Sequence, residues 1–253
     1  MSIIKSLMVS LSTYSIIPMP NFEWSEKNMQ YAMCFFPVVG IVCGVLIWLL
    51  DKFTACLNLS GFFVSAAAVC IPLIITGGIH MDGYMDTADA LSSHQTKEKK
   101  LQILSDPHIG AFAVIYFGIY LILDLAFLYE IRSAGMLSAV CPVFVLSRSI
   151  SALCAVNMPD ARKSGMLSAY TKNAKRKAVN ITMVIAAFIS VIAIIRISPL
   201  TGVIAAGMGI LWTFIYCRMA VKQFGGVTGD TAGFFLQLFE LVCMSGILIG
   251  VKI

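Results

Sequence analysis

His80, Asp82, Asp86 and Asp89 close a strongly apolar run within the segment from Thr76 to Ser92. The chain has only thirteen Asp and Glu residues, so three in one short stretch concentrate its negative charge. On a helix, steps of four and three residues return to the same side, which puts these carboxylates within about 60° of arc. Crowded like charges repel, and such a face persists most readily when a cation neutralises it. All-oxygen ligands suit a hard ion such as Mg²⁺ or Mn²⁺, which takes one or two carboxylates together with substrate phosphates. A solvated turn capping an apolar segment is the competing reading, but Lys, Ser or Asn would serve such a turn equally well. The spacing does not match an EF-hand loop.

Two further polar stretches carry residues of the same kind. Asp106, in Ser105-Asp106-Pro107-His108-Ile109-Gly110, is either a fourth metal ligand or the N-cap of the helix that follows. Gly225-Gly226-Val227-Thr228-Gly229-Asp230-Thr231 precedes the last apolar run. Its glycines and hydroxyls can offer backbone N–H groups to a phosphate at a helix start, although it lacks a Walker lysine; Asp230 as a plain N-cap is the alternative. Gly78, next to Gly77, frees the backbone to approach a ligand or to bend at the membrane surface. Three charges, Asp124, Arg148 and Glu240, fall inside apolar runs, where ionisable groups are costly and are paired or functional. Arg148 suits a diphosphate, or else an ion pair with Asp124. Glu240 lies nearly three helical turns beyond Asp230, where it would line a polar cavity.

The elements that must position these groups are membrane helices. The chain is 59% hydrophobic and 12% charged, against about 25% charged in a soluble domain. Apolar stretches near the 20 residues needed to cross a bilayer occur at 28–50, 60–78, 110–131, 135–157, 179–197, 199–220 and 231–251. The fold class is therefore an all-α integral membrane protein of about seven transmembrane helices, with 2–17 as an N-terminal interfacial or re-entrant helix. A short helix is expected at 95–104. Residues 1–253 form a single polytopic domain, without repeats, linkers or a removable signal peptide. Eight scattered cysteines, with no C-x-x-C pair, read as free buried thiols rather than a zinc site or disulfide framework.

Charge sets the orientation. With the N-terminus inside, thirteen Lys and Arg fall in inside segments and four (Lys52, Arg132, Arg196 and Lys252) in outside ones, with Arg148 within a span. That bias puts the polar loops 79–109, 158–178 and 221–230 together on the cytoplasmic side of the inner membrane. Lys172, Lys175, Arg176 and Lys177 are most simply part of the same bias; alternatively they attract an anionic substrate or lipid headgroups.

In this order, the motifs resemble those of the cobalamin synthase (adenosylcobinamide-GDP ribazoletransferase) family. They are Gly-Gly-x-His-x-Asp-Gly-x-x-Asp-Thr-x-Asp at 77–89, Ser-Asp-x-x-x-Gly at 105–110, Ser-Arg at 147–148 and Gly-Gly-x-Thr-Gly-Asp-Thr-x-Gly at 225–233. Weaker echoes are Pro18-x-Pro20, Phe36-Pro37-x-x-Gly40 and Glu240-Leu241-Val242. The chain departs from the family around 158–178, and at Gln237, where an acidic residue is more usual.

The resemblance implies a Mg²⁺-dependent phosphotransferase. A ribose hydroxyl of α-ribazole, or of its 5′-phosphate, attacks the cobinamide-bearing phosphorus of adenosylcobinamide-GDP. GMP leaves, and adenosylcobalamin or its phosphate forms. Asp82, Asp86, Asp89 and Asp106 would hold the metal. The general base would be His80 or a carboxylate such as Asp82 or Asp86, with the carboxylate favoured. Gly78, Arg148, Gly226, Thr228, Gly229, Asp230 and Glu240 would bind phosphate or substrate. Membrane lipid is an expected partner and nucleic acid is not. The rival classes are a phospholipid-type alcohol phosphotransferase, whose Asp-Gly-x-x-Ala-Arg pattern is missing at Asp82-Gly83, and a cation transporter, whose site would lie near the bilayer midplane.

Overall fold

The computed structural model describes residues 3–20 and 25–253; residue 2 of the expected lead-in helix lies outside them. Helices α1 (Ile3–Tyr14) and α2 (Glu26–Met29) lead into α3 (Phe36–Cys56), which a short 3₁₀ turn, Ala32–Phe35, precedes. Next come α4 (Gly61–Thr76), α5 (Ile79–Ser92), α6 (Lys97–Ile103), α7 (Ala111–Ser133) and α8 (Cys141–Asn157). The chain ends with α9 (Met166–Asn173), α10 (Arg176–Ile197), α11 (Pro199–Phe224) and α12 (Gly229–Lys252). Six helical segments among the described residues are long and apolar enough to cross a membrane, and the number is seven if α4 and α5, bent by 95° at their break, count as one span. This is the architecture expected of an integral membrane protein of about seven spans.

The expected span at 60–78 stops early. α4 ends at Thr76, and Gly77 (φ +62°) and Gly78 (φ +77°) turn the chain in the left-handed region that glycine tolerates. At 16 residues, α4 covers about 24 Å. α5 then lies across the end of the bundle, with His80 near α12 and Asp89 near the start of α7.

α8 and α12 form the centre and are buried on most sides, whereas α7, α10 and α11 turn large apolar residues such as Ile122, Phe188 and Ile210 outward. A helix that is apolar all round belongs in a core or a membrane. Two pairs of glycines, each four apart, set close helix contacts. A Cβ on Gly40 would come within 2.4 Å of the Phe144 carbonyl oxygen, and one on Gly44 within 2.8 Å of the Cys141 carbonyl oxygen, which locks α3 onto α8. Gly246 and Gly250 meet Ala205 and Thr201 in the same manner, which locks α12 onto α11. Small residues at this spacing let membrane helices pack backbone to backbone.

The three polar loops meet at one end of the bundle. Lys100 of α6 donates to Gln223 of α11, and Val227 pairs with Asp160 in a lone parallel bridge. α1 joins the same end, where the Ile16 N–H donates to the Ile75 carbonyl at 2.9 Å. The opposite end is held by ion pairs, Arg132 with Asp51 at 2.9 Å and Lys252 with Glu130 at 3.0 Å.

Candidate active site at the mouth of the bundle

The site is built where α5 crosses the first turn of α12. A Cβ on Gly83 would lie 2.8 Å from both Cα and O of Asp230, and one on Gly233 would lie 2.7 Å from the His80 carbonyl oxygen. Only glycine allows this approach, which brings the acidic face of α5 beside Asp230. Thr228 caps α12: its hydroxyl accepts from the Thr231 N–H at 3.1 Å, while the Thr228 N–H donates to the Thr231 hydroxyl at 2.8 Å. Asp230 is therefore not the cap, and its carboxylate is left for other partners.

Its partner comes from the loop after α8. The Val227 N–H donates to the Pro159 carbonyl at 2.8 Å, and the Ala161 N–H donates to the Val227 carbonyl at 3.1 Å. Gly226 makes this pairing possible, since a Cβ there would meet the Pro159 oxygen at 2.1 Å. The paired loops carry Arg162 to within 3.1 Å of the Asp230 carboxylate. The contact is one of charge without hydrogen-bond alignment: the facing atoms, Arg162 Nη2 and Asp230 Oδ2, have no hydrogen-bond partner.

Electrostatics mark the same spot. Burial raises the Asp86 carboxyl to about 7, with Asp82, Asp230 and Asp89 adding repulsion and Arg162 partly offsetting it. Such mutual repulsion is relieved by a cation. Among the described residues, no three His, Cys, Asp or Glu side chains form a complete cation cage by themselves. The donor chemistry nevertheless fits Mg²⁺, which takes one or two carboxylates and completes its shell with phosphate and water. His80 is buried between the rings of Tyr14 and Phe36, with its Nε2 unpaired. Burial, then the charge of Arg148, lowers its pKa to about 3, so it is a neutral imidazole and a weak proton acceptor.

The remaining sequence candidates are spread out. Asp82, Asp86 and Asp230 share the mouth. Asp89 packs its carboxylate against Gly110 at the start of α7. Asp106 stands apart and exposed: it accepts from the His108 N–H at 3.0 Å and contacts the His108 ring at 2.7 Å, and Gly110 rather than Asp106 is the N-cap of α7. Gly78 is the N-cap of α5. Arg148 and Glu240 find each other within the bundle at 2.7 Å, both essentially inaccessible, with Ser147 donating to the same Glu240 oxygen at 2.7 Å. The partner of Arg148 is thus Glu240 and not Asp124, whose Oδ1 has no hydrogen-bond partner. Gln237 and Asp124 line a narrow gap beside Glu240.

A cavity of about 260 Å³ opens at the mouth, lined by Asp82, Asp160, Arg162, Thr228 and Asp230 on one side and by Tyr14, Phe36 and His80 on the other. Asp160, Arg162 and Tyr14 were not among the residues singled out from sequence. The only local signal was Pro159-Asp160-Ala161-Arg162 in a loop whose basic residues also satisfy the inside charge bias.

Residues 6–248 match the family model described as cobalamin-5-phosphate synthase. The chain belongs to the cobalamin-5-phosphate synthase family. It is 39% identical over 241 residues to an adenosylcobinamide-GDP ribazoletransferase of Lachnoclostridium phytofermentans, covering 94% of this chain and 91% of that one. A protein of the same name from Clostridium botulinum is 34% identical, covering 95% of this chain and 96% of the relative. A third, from Desulforamulus reducens, is 30% identical over 98% of both chains. No solved structure matches. Every mouth residue from Tyr14 to Asp230 falls within the stretch matched to the family.

Proposed function

We propose that this protein transfers the adenosylcobinamide phosphate group from adenosylcobinamide-GDP to α-ribazole or its 5′-phosphate. The products are GMP and adenosylcobalamin or its phosphate. One observation carries the reading: in a member of the cobalamin-5-phosphate synthase family, Asp82 and Asp230 meet Arg162 and a capped helix start at one cavity, with Asp86 in electrostatic reach of all three. The names of the relatives support the same reaction. The excess of Lys and Arg around the mouth supports placing it on the cytoplasmic side of the inner membrane.

In this mechanism Asp82 and Asp86 would hold Mg²⁺, with Asp230 beside them and Asp89 one turn further on. Bound Mg²⁺ would neutralise charge on the transferring and leaving phosphate oxygens. Arg162 exchanges its loose contact with Asp230 for the diphosphate, which its planar guanidinium matches. Gly229 and Asp230 open α12, and the N–H groups of a helix start favour negative charge. The acceptor's ribose hydroxyl attacks the cobinamide-bearing phosphorus while a carboxylate of the cluster takes the proton. The bond from that phosphorus to the bridging oxygen breaks, and GMP carries the oxygen away. A corrinoid is far too large for a cavity of about 260 Å³, so it stays outside the mouth. Arg148 and Glu240 act from below, holding α8 to α12 under His80.

The test uses purified protein in detergent or liposomes with adenosylcobinamide-GDP and α-ribazole. GMP and cobalamin are expected to form with Mg²⁺, to stop with chelator and to resume when Mg²⁺ is restored. A well-folded sample that releases no GMP sinks the reading.

A further inference from the structure

The cavity at the mouth has two ends of opposite chemistry. The open end carries the carboxylates, Arg162 and the α12 start. The inner end is walled by Tyr14, Met33, Phe36, His80, Ala152 and Ala155, all but Tyr14 buried. Its rings form a cluster: the Tyr14 and Phe36 centroids are 4.3 Å apart, Phe36 lies 5.6 Å from the His80 ring, and Tyr14 stacks with that ring at 6.2 Å and 23°. Nothing in the proposed phosphoryl transfer uses these aromatic walls.

We infer that this inner end is the subsite for the flat, weakly polar heteroaromatic base of the nucleoside acceptor, with His80 Nε2 as its buried polar contact. The inference rests on the proposed reaction and assigns one of its two substrates to a place. Two observations point to a ligand. His80 lines the inner end and is more than nine-tenths buried, yet its Nε2 has no hydrogen-bond partner. A buried polar atom left unpaired is costly, and a ring nitrogen of a bound base would satisfy it. The walls are aromatic, thioether and methyl groups, which favour a flat ring by stacking and by close apolar contact.

Guanine, the other base in the reaction, fits this end poorly. Its edge presents several donors and acceptors, each needing a partner once buried. Beyond His80 the inner end offers the hydroxyls of Tyr14 and Ser151, whereas the carboxylates of Asp82, Asp160 and Asp230 lie at the open end. A benzimidazole-type base has one free ring nitrogen once attached to ribose, which matches one unpaired imidazole nitrogen. With its base seated there, the nucleoside's ribose projects toward the carboxylates, where its hydroxyl must react.

The experiment measures binding of α-ribazole, and separately of GDP, to the purified full-length protein by equilibrium dialysis, together with both KM values. Ala155→Leu fills the inner end, and Ala155→Val is the milder version should the larger residue unfold the protein. His80→Phe keeps a ring and removes the hydrogen bond. Each variant is expected to weaken α-ribazole binding roughly tenfold or more, the effect of altering a fitted apolar pocket, while the KM for adenosylcobinamide-GDP stays near wild type. A loss of GDP binding instead would place guanine there and overturn the inference. Unchanged affinity for both ligands in folded variants would also overturn it. Binding is read without turnover, so a protein that binds α-ribazole at this end but releases no GMP would refute the proposed reaction and leave the subsite standing.

Discussion

Arg162 and Asp230 lie 3.1 Å apart across the mouth, although 68 positions separate them in the chain and no hydrogen bond aligns them. Their meeting depends on a backbone pairing, Val227 with Pro159 and Ala161, that clamps the loop after α8 to the loop before α12. An ion pair so loosely held can be exchanged for a substrate phosphate at little cost.

Arg162→Ala is expected to raise the KM for adenosylcobinamide-GDP by roughly ten- to a hundredfold, the span of one lost charged hydrogen bond. Arg162→Lys should recover only part of this, because an ammonium cannot grip phosphate bidentately. Steady-state kinetics with each substrate varied in turn would decide; a KM change confined to α-ribazole would count against the assignment.

Asp82→Asn and Asp86→Asn should abolish turnover and weaken binding of Mn²⁺, used as a paramagnetic stand-in for Mg²⁺. Asp106→Asn should leave both close to wild type, since Asp106 is exposed and bonded to His108. Electron paramagnetic resonance titration of the folded variants separates the two classes. Loss of metal binding in the Asp106 variant would restore it to the site.

Gly83→Ala adds a Cβ 2.8 Å from the Asp230 backbone, where no flexible side chain can move aside. Forcing α5 from α12 should cost about 1–3 kcal/mol, the usual penalty for overpacking, and should lower kcat by displacing Asp82 and Asp86 from Asp230. Thermal unfolding in detergent, paired with turnover, tests both parts.

Glu240→Ala leaves the Arg148 guanidinium buried without its counter-ion and should destabilise by about 3–5 kcal/mol. Replacing both residues, Arg148→Met with Glu240→Leu, should recover most of that loss. If the double variant is stable but inactive, the pair also matters to the site above it through His80, which feels the Arg148 charge.

Orientation can be tested by cysteine labelling. With the exposed native thiols Cys56 and Cys70 replaced by serine, a membrane-impermeant maleimide should reach Lys163→Cys, in the exposed loop after α8, only in inverted vesicles, and Leu59→Cys, between α3 and α4, only in right-side-out cells. The reverse pattern would overturn the cytoplasmic placement of the mouth.

The sequence alone determined what depends on local patterning. Span positions follow from runs of apolar residues, and the paired glycines at 77–78 marked the bend that ends α4, because both are properties of neighbouring residues. The charge bias gathered the three polar loops at one end before any packing was known. Long-range pairing was not legible. Asp230 was open to either a phosphate-loop or an N-cap role until Thr228 and Thr231 formed the box, and Arg148 looked free for phosphate or for Asp124 until α8 and α12 brought Glu240 to it. Asp106 resembled its acidic neighbours by type, yet its loop turns it toward His108. The acidic helix face held three carboxylates and a need for positive charge, but Arg162 emerged only from tertiary structure. Such groups meet because small residues such as Gly83, Gly226 and Gly233 let backbones touch, and a one-dimensional pattern does not encode which backbone will be on the other side.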